Sequence, residues 1–140
     1  TDIAVTAISL GATVDQLAAM DFAYAPPFST AIHPFAHSIN ILMNKLDGGM
    51  DSITPVEYAE GKAEGYEVID CAISPSLPEK RYLDLTAISG EVDGLSKDAK
   101  LLLVCTKGKR AYLTQNRLKY YGYTNTTVLE GGTTFTEMDE

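Results

Sequence analysis

The stretch LLLVCTKGKRAYL, residues 101–113, runs from unbroken hydrocarbon into a thiol and then at once into Thr-Lys-Gly-Lys-Arg. An apolar run of this length with no polar alternation reads as a strand covered on both faces, the kind found inside a parallel sheet. The next segment reads as a helix: in RAYLTQNRLKYYG, Ala111, Thr114, Leu118 and Tyr121 recur at near-helical spacing and Gly122 marks the stop. Strand, loop and helix in this order put Cys105 at a carboxyl strand end, where the loops of open parallel sheets gather reactive groups. A cysteine is more often a small, inert core residue. The basic loop behind this one is what makes it a candidate for chemistry.

Working outward, TPVEYAEGKAEG opens with Thr54 as N-cap, Pro55 at the first helical position and Glu57 closing a capping box, which predicts a helix up to about Gly65. YEVID is a short β-rich run, RYLDL is a candidate for another, and TTVLEGG supplies a last strand and a glycine turn. Strands alternating with helices predict a small α/β domain with a mainly parallel sheet. Residues 1–46 are different material, with no Lys or Arg in the first 44 positions and with Ala, Pro and Phe in abundance. TDIAVTAISLG fits either a short helix ended by Gly11 or part of a strand. Thr13 heads TVDQLAAM with Gln16 in the capping-box position, YAPPFS must be extended through its two prolines, and Pro34 starts the helix PFAHSINILMNKL with Phe35, Ile39, Met43 and Leu46 on one stripe. DGGMD, residues 47–51, reads as a linker.

The totals bound the function. With 140 residues, 45% hydrophobic and 21% charged, the chain has ordinary globular composition. No run approaches the roughly 18 apolar residues of a membrane span, and no signal-peptide pattern is visible, so a soluble, cytoplasmic chain is expected. Two cysteines make no disulfide framework at this length, and free thiols are the expectation. A net charge of -8 argues against nucleic-acid partners. The charge is unevenly spread: no Asp or Glu occurs from Ala99 to Leu129, which holds Lys100, Lys107, Lys109, Arg110, Arg117 and Lys119.

Local field matters for a thiol more than net charge does. Cys105, Thr106, Lys107, Gly108, Lys109 and Arg110 form a tight bridge into a helix whose first turn offers unpaired N–H groups and a positive dipole end. Gly108 lets the loop curl so that successive N–H groups form an anion-binding nest. Such surroundings favour thiolate, the nucleophilic form, and would equally hold a persulfide or an oxyanion.

With YEVID upstream and GYTNTTVLEGG downstream, CTKGKRAY resembles the active loop of rhodanese domains, Cys-x-x-Gly-x-Arg between a buried strand and a helix, and SITPVEYAE resembles that family's opening helix. The resemblance covers about Ser52 to Glu140 and implies an α/β, rhodanese-like small parallel sheet flanked by helices. It also implies sulfur transfer, with Cys105 as the nucleophile that takes up a sulfane sulfur, Thr106 to Arg110 as its cradle and Asp70 as a further site residue. The six-residue loop is similar to that of sulfurtransferase members rather than to the longer phosphatase-like loop. Two departures stand out. Asp70-Cys71-Ala72 replaces the family's Asp-Val-Arg, and SLPEKRY replaces His-Ile-Pro-Gly-Ala, with Ser76 at the His position and Glu79-Lys80 at Gly-Ala. Cys71 could resolve an oxidised or persulfidated Cys105, against the simpler reading of a half-buried thiol in place of Val.

TVDQLAAMDFAYAPPFSTAIHPF resembles the C-terminal dimerisation domain of flavin-dependent pyridine nucleotide-disulfide reductases, above all coenzyme A disulfide reductases and NADH oxidases. That implies three regions: 1–46 as a mainly helical part of a dimerisation domain, 47–51 as linker and 52–140 as the rhodanese-like domain. It further implies Tyr24, Phe28 and His33 near a subunit interface, with helix capping the better reading of His33. No Gly-x-Gly-x-x-Gly follows a strand, so this chain is expected to hold no cofactor itself, while the parent reductase would use FAD and NAD(P)H. His33 and His37 lack a third ligand, and no metal is expected. Expected partners are a small sulfur donor, a thiol acceptor, and a second copy or the remaining reductase domains. The alternative is a non-catalytic dimerisation and docking module. A third reading is a loop that binds an oxyanion without reacting.

Overall fold

The computed structural model describes residues 2–23, 27–28 and 30–138 and divides into two units, Thr1–Gly49 and Met50–Glu140. In the first, α1 (Asp2–Ser9), α2 (Val14–Ala18) and α3 (Pro34–Leu46) bury Ala7, Leu17 and Ile39, with Val14, Phe35 and Met43 packed beside them. DIAVTAIS is thus helix, and Gly11 at φ +68° ends it: its N–H donates to the Ile8 carbonyl and the Ala12 N–H to that of Ala7, the paired bonds of a Schellman cap. The capping box of α2 forms as its spacing dictates, Thr13 Oγ1 accepting from Gln16 N–H and Gln16 Oε1 from Thr13 N–H. The apolar stripe of α3 stops at Met43, since Leu46 is exposed.

The second unit is built on five parallel strands: β1 (Ser52–Ile53), β2 (Glu67–Asp70), β3 (Arg81–Tyr82), β4 (Leu101–Val104) and β5 (Thr126–Leu129), in the order β1-β5-β4-β2-β3. LLLV is the middle strand, paired with β2 from Glu67↔Leu101 to Asp70↔Val104 and with β5 from Leu101↔Thr126 to Leu103↔Val128. All four of its residues are wholly buried, as an unalternating apolar strand requires. Leu101 and Leu103 face Ile69, Leu118 and Tyr123, whereas Leu102 and Val104 face Leu129, Tyr58 and Val68. Each such leucine contributes about 2 kcal/mol by leaving water. Helix α5 (Lys109–Tyr120) crosses the first face, and buried Gln115 fastens it there, Nε2 donating to the carbonyls of Asp51 and Thr126 at 2.8 and 2.7 Å.

Two expectations need correction. The helix begun at Thr54 forms its capping box, but α4 spans only Pro55–Ala59 rather than reaching Gly65. Gly61, at φ +84°, ends it with the same paired bonds, Gly61 N–H to Tyr58 O and Lys62 N–H to Glu57 O. RYLDL keeps only two strand residues, because Asp84 caps a 3₁₀ turn at Leu85–Ala87. After TTVL the chain makes a second 3₁₀ turn, Gly132–Thr134, for which the sequence has no periodic signal. No helix among the described residues is long and apolar enough to cross a membrane.

Candidate functional site around Cys105

β4 ends at Val104, so Cys105 leaves the sheet at the carboxyl edge, and three residues later Gly108 is the N-cap of α5. The turn is tight enough to need φ +89° at Gly108, where a Cβ would lie 3.3 Å from the Gly131 N. This geometry aims the Gly108 N–H at Cys105 Sγ, 3.2 Å away. The N–H groups of Thr106 and Lys107 have no protein acceptor among the described residues. Thr106, Lys107 and Lys109 are exposed, whereas Cys105 itself is 4% exposed, at the floor of the loop. Neither lysine has an ion-pair partner among the described residues.

Arg110 is employed differently. Its Nε donates to the Cys71 carbonyl at 3.0 Å and its Nη2 reaches Asp84 Oδ1 at 3.3 Å, so the guanidinium ties the end of β2 and the following 3₁₀ turn to the base of the loop. Asp84 is held below the usual carboxylate range, first by the N–H and hydroxyl of Thr86 and then by Arg110.

Asp70 is wholly buried at the end of β2 and is saturated from its own side. Oδ1 accepts from Ala72 N–H at 2.9 Å, Oδ2 from the N–H groups of Ser76 and Leu77 at 2.5 and 2.9 Å, and the Ser76 hydroxyl adds a further bond. Burial alone would raise its pKa, but these donors outweigh burial and the net shift is downward. The carboxylate therefore organises the loop 72–77, and Ser76 is one of its donors. Cys71 points into the core cluster that also contains Cys105, is wholly buried, and is a thiol that burial pushes up to about 12. Both cysteines are free.

In the first unit, His33 Nδ1 caps α3 by accepting from Phe35 N–H at 3.1 Å, and its ring stacks on Phe22 with centroids 5.2 Å apart. Phe28 is 90% exposed. Tyr24 lies outside the described residues. No cluster of three His, Cys, Asp or Glu able to hold a metal occurs among the described residues.

Two features of the site are absent from the sequence reading. Asp84, as partner of Arg110, carries no local signal. The 3₁₀ turn Gly132–Thr134 contacts the loop directly: Thr133 N–H donates to the Cys105 carbonyl at 3.1 Å, and Thr134 bonds the Thr106 carbonyl through both its N–H, at 3.0 Å, and its hydroxyl, at 2.6 Å. A Cβ on Gly132 would fall 1.7 Å from the Cys105 oxygen. The Gly131-Gly132 pair is the one available clue.

The comparisons with known proteins agree with this architecture. No curated protein matches significantly. Among solved structures, an NAD-dependent persulfide reductase from A. fulgidus superposes with a TM-score of 0.74 at 31% identity, over 96% of this chain and 24% of that one. The reduced CoADR-RHD of Bacillus anthracis gives 0.78 at 24% identity, over 94% of this chain and 24% of that one, a likeness of fold. A rhodanese-related protein from Thermoplasma volcanium gives 0.50 at 22% identity, over 60% and 87%. The chain thus spans about a quarter of the length of the first two. The family model of the Rhodanese-like domain matches residues 38–134, most of the chain and all of the strand, loop and helix around Cys105. A five-stranded parallel sheet that presents a cysteine at its central strand end, together with that match, makes this chain a member of the rhodanese-like domain family.

Proposed function

We propose that the second unit is a sulfurtransferase or persulfide-carrier module in which Cys105 is the sulfur-accepting nucleophile. The observation that carries this reading is the Gly108 N–H aimed at Cys105 Sγ, with the N–H groups of Thr106 and Lys107, acceptor-free among the described residues, beside it. The Cys105 thiolate attacks the outer sulfur of a donor such as thiosulfate, the donor S–S bond breaks, and sulfite leaves with the bonding pair. The sulfur remains on Cys105 as a persulfide, whose terminal charge the main-chain donors meet. An acceptor thiol then takes the outer sulfur and returns Cys105 to the thiolate. Lys107 and Lys109 draw the anionic donor in. Arg110 and Asp70 hold the surrounding segments.

The same reading makes the chain part of a larger oxidoreductase. It is supported by the alignment to the persulfide reductase, which takes in 96% of this chain and so includes the first unit. On this reading residues 1–46 belong to a dimerisation domain, 47–51 link it to the module at 52–140, Phe28 and Tyr24 approach a subunit interface, and FAD and NAD(P)H bind in the absent portion. The setting is cytoplasmic. Exposed Ile8, Leu10 and Phe28 favour a second reading, a non-catalytic docking module. Mass spectrometry after exposure to thiosulfate and to a thiol persulfide separates the two. One added sulfur on Cys105, absent from Cys105→Ser, is expected; an unchanged mass with every donor overturns the sulfur-transfer reading.

A further inference from the structure

We infer that Thr134 is a positioning residue for the Cys105 loop, setting the direction of the N–H groups that receive a negative sulfur or an anionic donor. This inference rests on the sulfur-transfer reading of that loop. A trans peptide is planar, with its C=O and N–H pointing in opposite directions. The carbonyl of Cys105 and the N–H of Thr106 belong to one such plane, and the carbonyl of Thr106 and the N–H of Lys107 to the next. Both carbonyls are held by the turn Gly132–Thr134, the first by Thr133 N–H and the second by the two donors of Thr134. Both N–H groups are therefore turned away from that turn, and both lack a protein acceptor among the described residues.

The turn has no latitude to do this from a distance. Gly132 lies so close to the Cys105 carbonyl that even a methyl group would collide with it. A Cβ on Gly108 would lie 3.3 Å from the nitrogen of the preceding Gly131. The turn, with Gly131 before it, thus meets the loop at Cys105, Thr106 and Gly108. Among the described residues the Thr134 hydroxyl is the only side-chain donor in that grip, since the remaining contacts are main chain. Removing it frees one of the two bonds on the Thr106 carbonyl and lets the second peptide plane rock, which blurs the aim of the Lys107 N–H. Thr134 is exposed, so its replacement leaves the core intact.

A pair of alkylating reagents reads this directly. Iodoacetate carries a carboxylate and iodoacetamide does not, so the ratio of their rates at Cys105 reports how well the loop receives an anion, independently of the intrinsic reactivity of the thiol. The ratio is to be measured by mass spectrometry in the whole chain for wild type, Thr134→Val and Thr134→Ser, with thermal melts alongside. Thr134→Val is expected to lower the ratio about fivefold, the effect of one hydrogen bond, while Thr134→Ser keeps it within about twofold of wild type and both variants melt near the wild-type temperature. A ratio unchanged in Thr134→Val, or lowered equally in Thr134→Ser, overturns the inference. Should wild type fail to load sulfur, the ratio is still measured, so the two ideas fail separately.

Discussion

Cys71 and Cys105 occupy equivalent places at the carboxyl ends of adjacent parallel strands, one step beyond the paired residues Asp70 and Val104. Their fates differ because of the segment downstream of each. After Cys71 the chain folds back on Asp70, whose carboxylate gathers the N–H groups of Ala72, Ser76 and Leu77, so these local donors are consumed and the thiol is sealed in the core. After Cys105 the carbonyls are drawn off by the turn Gly132–Thr134, and the N–H groups are left for the sulfur and whatever it carries. Strand position alone does not make a cysteine reactive. On the proposed reading, the destination of the next few main-chain donors does.

The largest expected effect tests that contrast itself. At pH 8 iodoacetamide is expected to modify Cys105 about a hundredfold faster than Cys71 or more, because a thiol held up at about 12 supplies almost no thiolate there. Peptide mapping of the labelled chain gives both rates at once, and comparable rates would erase the distinction between the two strand ends.

A smaller effect belongs to Asp70. Asp70→Asn keeps the shape but places an NH₂ group among four donors, and is expected to lose about 2–3 kcal/mol of stability at neutral pH, as for hydrogen bonds to a buried charge. Because the folded-state pKa lies below the ordinary 3.8, the stabilisation is present above the unfolded value and is lost as pH falls through the folded one. Denaturant titrations should therefore show wild type and variant converging as the medium is acidified below about pH 4. A constant gap down to acid would mean that the carboxylate is not the organiser of that loop.

The smallest effect lies further along the same segment. Glu79 is the one non-glycine residue with positive φ among the described residues, at +58°. Left-handed backbone costs an ordinary residue about 1–2 kcal/mol, part of which glycine gives back through its freer unfolded chain. Glu79→Gly should gain about 0.5–1 kcal/mol, read as a melting temperature a few degrees higher. A variant that melts lower would show that the Glu79 side chain itself is needed to close the β2 loop.

The legible and the illegible parts of the fold divide along physical lines. Local rules announce the capping boxes at Thr13 and Thr54, the start of α3 at Pro34 and the double-sided burial of Leu101 to Val104, because each depends on residues within one turn or one strand. Gly61 is legible as a stop too, and it outweighs the longer helix that the run up to Gly65 suggests. The turn at Gly132–Thr134, the pairing of Arg110 with Asp84 and the fastening of Gln115 to Asp51 and Thr126 are not legible, since their partners lie about 11 to 64 positions away and only the closed sheet brings them together. The resemblance of the loop points to a candidate nucleophile, but the contacts that orient the loop's carbonyls come from residues 132–134.

Arg110 spends its guanidinium on Cys71 and Asp84, while Lys107 and Lys109, on flexible stems, have no ion-pair partner among the described residues. Frame and attraction are thereby separated. Counter-ions at physiological strength, with a screening distance of about 8 Å, weaken what the lysines do at long range and leave the loop's own contacts almost untouched. On the proposed reading, salt is then a dial on how often an anion arrives, and not on what happens to it once it is seated.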